Sequence, residues 1–164
     1  MKKLFFVLCV LLVASGSQAQ SDENSNLKGT KQFFVSLPSI AEGSSSAKSC
    51  GVNKEDINTA IRFVLQQSKI QFNEQKFDMG KPIVFLSSTL AVLHDVSTRS
   101  CAISYTMEIY AGVTINNTGQ KGLAAIWSRT GLITGPQTST SRQAVDAIED
   151  LAKKLVVAWS SANQ

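Results

Sequence analysis

The residues that could do chemistry in this chain are few. One histidine and three cysteines occur among 164 residues, and His94 stands directly before Asp95 in the stretch V-L-H-D-V-S. A base beside an acid is the raw material of a nucleophilic triad, in which the carboxylate orients the imidazole and an exposed serine attacks. Adjacent residues point in different directions, however, and no G-x-S-x-G elbow presents a nucleophile. A small hydrolase with a dispersed site near His94 is therefore the alternative reading. A zinc site needs three or four ligands, usually in C-x-x-C or H-x-x-x-H spacing. Neither spacing occurs, so no metal and no cofactor are expected.

The carboxylates divide by position. Glu55 and Asp56 fall where a helix would begin, and Asp146, Glu149 and Asp150 lie on what reads as the wet side of another helix. Glu108 is different, because Tyr110 follows two residues later in an alternating run and would share its face. A small polar patch there is a candidate for partner binding. Arg129, in I-W-S-R-T-G, is the third candidate: with Trp127 just before it and Gly131 read as a turn glycine, it would form a rim of aromatic and cationic character. The glycines have no phosphate-loop spacing.

The N-terminus sets the compartment. Met1 to Ala19 runs from two lysines through an apolar core to small residues at Ser17 and Ala19, the order of a cleavable signal peptide. Its core is shorter than the roughly 20 residues a spanning helix requires, so no permanent membrane anchor is expected. A periplasmic or secreted protein follows. The formal charge of +4 moves closer to balance once Lys2 and Lys3 leave with the leader. With no basic stripe, nucleic acid is not an expected partner. Residues 20–30 read as a flexible N-terminal segment and 31–164 as one domain.

Cys9 departs with the leader. Cys50 and Cys101 then form an even pair in an oxidising compartment, which favours a disulfide over a metal site or a reactive thiol.

The elements that must position these residues are legible from periodicity. Residues 31–37 predict a short strand ended by Pro38, and residues 42–49 a Gly/Ser-rich link. Ile57, Ala60, Ile61, Val64 and Leu65 recur at the spacing of one helical face, with Asn53 as N-cap. Residues 82–93, a strand beginning at Cys101, and residues 123–134 predict an antiparallel meander, with a short extended piece around residues 70–72 before it. In the middle strand every second residue from Cys101 to Ile115 is the buried set. A last helix follows, with Thr140 and Gln143 at capping-box spacing, the stripe Ala144, Ile148, Leu151, Leu155 and Trp159, and Trp159 anchoring its end on the sheet.

The order β-α-β-β-β-α predicts an α+β two-layer sandwich, a mostly antiparallel sheet with both helices on one face. In this element order most of the mature chain resembles small envelope proteins that assist larger machines, such as the auxiliary component of the lipopolysaccharide-assembly complex and the N-terminal domain of the Tol translocation protein. The resemblance implies a bacterial envelope accessory. The expected function is a non-catalytic exported binding protein that docks a protein partner through its open sheet face or its edge strand.

Overall fold

A computed structural model describes residues 24–41, 44–73 and 83–164. The leader, Cys9 and Pro82 lie outside the described residues. Six strands form one sheet: β1 (Gln32–Val35), β2 (Ser39–Ala41), β3 (Gln71–Asn73), β4 (Ile83–Asp95), β5 (Ser100–Thr114) and β6 (Lys121–Pro136). Among the described residues they are accompanied by helices α1 (Ser44–Ser49), α2 (Lys54–Gln67) and α3 (Gln137–Ala162). The order across the sheet is β3-β1-β4-β5-β6, and β2 continues beyond β1 along the same side of β4.

The sheet is mixed. Its long pairings, β4 with β5 and β5 with β6, are antiparallel, whereas the short ones, β1 with β3, β1 with β4 and β2 with β4, are parallel. The α+β class holds, with more elements than periodicity predicts. The Ser-rich link contains α1, a helix of only 6 residues, too short and too polar to show an apolar stripe. β2 has 3 residues, below the length at which alternation can be read.

One face of the sheet carries the core. Val84, Leu86, Leu90 and Val92 of β4 and Cys101, Ile103, Met107 and Ile109 of β5 are buried on it, and α3 packs against β5 and β6. Each large apolar side chain so buried contributes about 1.5–3 kcal/mol. Helix α2 forms as its sequence dictates: Asn53 Oδ1 accepts from the Glu55 amide at 3.0 Å, and Ile57, Ala60, Ile61, Val64 and Leu65 are its buried stripe. Helix α3 begins earlier than the capping-box spacing predicts. β6 runs directly into it at Pro136, and the Thr140 hydroxyl donates to the Pro136 carbonyl at 2.6 Å instead of serving as N-cap.

Two tethers fix the ends of this arrangement. Cys50 and Cys101 are disulfide-bonded with their Cα atoms 6.1 Å apart, joining the approach to α2 to the buried face of β5. At the other end, residues 24–30 are not the loose segment expected. Leu27 is fully buried, and Asn163 after α3 accepts from the Gly29 amide at 2.7 Å and donates to the Leu27 carbonyl at 3.0 Å. The indole of Trp159 donates to the Thr30 carbonyl at 2.8 Å. Its polar handle thus secures the lead-in to β1.

Candidate functional site

The face of the sheet opposite the core is built in cross-strand rows, because paired residues on neighbouring strands share a face. Phe34, Phe85 and Tyr110 form the first row; the phenylalanine rings stack with centroids 5.6 Å apart, and Tyr110 lies 6.0 Å from Phe85. Next come Ser87, Glu108 and Ser128. Ser39, Thr89, Thr106 and Thr130 make a row of hydroxyls, with Ser39 and Thr89 bonded at 3.0 Å and Thr106 and Thr130 at 3.2 Å. Ala41, Ala91, Ser104 and Leu132 follow, then Leu93, Ala102 and Thr134. Leu93 and Leu132 are about two-thirds exposed, at 71% and 68%. The face is rich in hydroxyls, with an aromatic row toward one end and two exposed leucines toward the other.

Glu108 supplies the one charge in these rows. The Tyr110 hydroxyl donates to its carboxylate at 2.7 Å, and that hydrogen bond, with slight desolvation, raises the phenol above its ordinary pKa of 10.0. The two residues therefore share a face as their spacing predicts.

Arg129 does not join them. It sits in mid-strand, opposite Met107 on the core side, and Gly131 is also within the strand rather than in a turn. The register shift at Ile109/Tyr110 pairs Ile109 with Trp127 and Tyr110 with Ala125, which leaves Ile126 as the additional residue of a β-bulge. Beyond the bulge, Trp127 and Arg129 both face the helices. Trp127 is 1% exposed, and the guanidinium lies over its ring at 5.1 Å, an attractive cation–π arrangement. The three candidates thus divide between opposite faces.

His94 and Asp95 do not act as a pair. His94 is opposite Cys101, on the core side, and successive strand residues face opposite ways. The Asp95 carboxylate is occupied by its own turn, accepting from the Ser97 amide at 2.9 Å, the Ser97 hydroxyl at 2.7 Å and the Thr98 hydroxyl at 2.8 Å. These bonds, the Ser97 hydroxyl first, lower its pKa from 3.8 to about 2. An acid so held is a turn-former, not the orienting partner of an imidazole.

No protein-family model matches this chain, and no curated protein does. Among solved structures it is similar to PelC of Paraburkholderia phytofirmans, described as a dodecamer, at 14% identity and a TM-score of 0.48, over 79% of this chain and 89% of that one. It is also similar to a minor lipoprotein from Acinetobacter baumannii, at 11% identity and a TM-score of 0.42, over 82% of this chain and 93% of that one. This is a likeness of general architecture.

Proposed function

We propose that the chain is an exported, disulfide-stabilised, non-catalytic binding protein whose open sheet face docks a protein partner. The observation that carries this reading is the set of cross-strand rows from Phe34–Phe85–Tyr110 to Leu93–Ala102–Thr134, on which Glu108 is the one charge. Apolar and hydroxyl groups cost less to desolvate than charges when a partner covers them. The partner this face fits is a protein surface that brings an arginine or lysine to Glu108. Export is supported by the leader-like Met1–Ala19 segment and by the Cys50–Cys101 disulfide, a bond that persists in oxidising compartments.

The test is site-directed photo-crosslinking in the native envelope fraction. A photoreactive residue at Thr106, on the hydroxyl row, captures one specific protein, and Glu108→Lys abolishes the capture. The same residue placed at Lys153 on α3 captures nothing in common with it. Equal capture from both positions, or capture indifferent to Glu108→Lys, defeats the reading.

A further inference from the structure

The order of strands in the sheet ends at β6, which leaves one long edge. Which of its backbone groups point outward follows from the ladder. In an antiparallel pair, residues that exchange hydrogen bonds alternate with residues whose N–H and C=O face away from the partner. The Gln137 amide donates to the Arg99 carbonyl at 3.0 Å, so the bonded pairs behind it are Cys101–Gly135, Ile103–Ile133 and Tyr105–Gly131. Thr130, Leu132 and Thr134 therefore turn their N–H and C=O outward.

This stretch is bounded on both sides. Toward the hairpin, the Ser128 carbonyl accepts from the Arg129 guanidinium at 2.6 Å, and beyond it the bulge residue Ile126 accepts from the Asn26 side-chain amide at 3.3 Å. At the other end Pro136 has no N–H to offer. Bulges and prolines are devices that natural sheets use against strand addition. Thr130 to Thr134 carries neither. Its three outward residues are exposed, Leu132 by 68%, and among the described residues nothing bonds to their outward backbone groups.

We propose that this stretch pairs antiparallel with the same stretch of a second copy of the chain, about a two-fold axis at Leu132 perpendicular to the sheet. Centred there, Leu132 opposes the second copy's Leu132 and Thr130 opposes its Thr134, so each outward N–H meets an outward C=O. The segment is its own complement, which favours a second copy over a foreign strand. Residues 130–136, T-G-L-I-T-G-P, carry no charge, so the axis sets no like charges together. It sets threonine against threonine, a favourable cross-strand pair, and covers the exposed leucine of each copy. Centring on Thr130 would set Thr134 against the bulge, and centring on Thr134 would set Leu132 against Pro136. Leu132 is the centre that pairs all three residues. The axis leaves both open faces uncovered on one side, so this interface is separate from the docking face proposed above. The strip is smaller than a standard interface, so the dimer forms in a concentration-dependent equilibrium.

Sedimentation of the mature, oxidised protein across a concentration series reads this equilibrium, and dimer is expected at the high end. Thr134→Pro removes an outward N–H without touching the β5–β6 ladder. The two-fold repeats that loss, and association weakens by about tenfold or more. Leu132→Lys, a change at an exposed side chain, sets two lysines together and also dissociates the dimer. The register is read by oxidative cross-linking: Leu132→Cys forms a disulfide-linked dimer, whereas Leu93→Cys, on the same face and 71% exposed, forms none. A chain that is monomeric throughout the series, a dimer indifferent to both Thr134→Pro and Leu132→Lys, or equal cross-linking from the two cysteine positions overturns the proposal. So does a Leu132 amide that gains protection from solvent exchange only when envelope extract is added, because a foreign strand then occupies the edge.

Discussion

The ring of Tyr105 on β5 lies across the backbone of Gly131 on β6, its directly opposed partner. A Cβ at position 131 would overlap the Tyr105 hydroxyl and the adjoining ring carbons. Glycine here leaves a gap in the sheet surface, and the neighbouring aromatic fills it. Gly131→Ala must push the tyrosine off the partly buried core margin where it packs. The expected cost is about 1–3 kcal/mol, the range for overpacking at a closely filled position. A double-mutant cycle with Tyr105→Ala measures it: the glycine change should be much less harmful once the ring is gone. Additive effects would mean that the ring is not the obstacle.

Reduction of the disulfide should be felt as a loss of stability without a change of fold. The bond closes a loop with a sequence separation of 51, for which the chain-entropy account gives about 4 kcal/mol. Thermal or urea unfolding of Cys50→Ser/Cys101→Ser against the oxidised protein reads this directly. Both cysteines are buried in the core, so a penalty well under 1 kcal/mol would show that the unfolded chain already holds the two ends together.

The fold was legible where a pattern had room to repeat. The i, i+3, i+4 recurrence from Ile57 to Leu65 matches the buried face of α2, and alternation from Cys101 to Ile109 matches the buried face of β5. Alternation also overreached: Val113 and Ile115 are 38% and 51% exposed, and Ile115 lies beyond the end of β5. The same limit hid the faces of the candidate residues. Glu108 and Tyr110 share one strand, so their relation could be read from spacing, but relating Arg129 to them required the β5–β6 register and its bulge. Nothing local announced the buried Leu27, whose partners come from the far end of the chain.

That long-range clasp makes a prediction of its own. Asn163 satisfies the Gly29 amide and the Leu27 carbonyl with one side chain, and also donates to the Trp159 carbonyl at 2.9 Å. Asn163→Ala leaves these groups without their partner near the surface, where water replaces part of the loss. The expected destabilisation is about 1–2 kcal/mol. Its signature is local: the Gly29 amide should exchange faster with solvent, while amides in β5 keep their protection. Uniform acceleration across the sheet would instead mean that the clasp and the core open together.

The pairing of Tyr110 with Glu108 predicts an alkaline effect of definite sign. The phenol is raised above 10.0, first by its hydrogen bond to the Glu108 carboxylate and then by slight desolvation and by the carboxylate's negative charge, which opposes a second one beside it. A folded-state pKa above the unfolded value means that the contribution to stability is complete below pH 10 and is lost as the pH rises through the folded pKa. Glu108→Ala removes both the acceptor and the charge, so the Tyr110 midpoint should fall back toward 10.0. The chain has two tyrosines, and in a Tyr105→Phe background the ultraviolet titration of tyrosinate reports Tyr110 alone. A midpoint unchanged by Glu108→Ala would show that the carboxylate does not govern the phenol. Glu108 would then be free to meet a partner's cation without first releasing its neighbour.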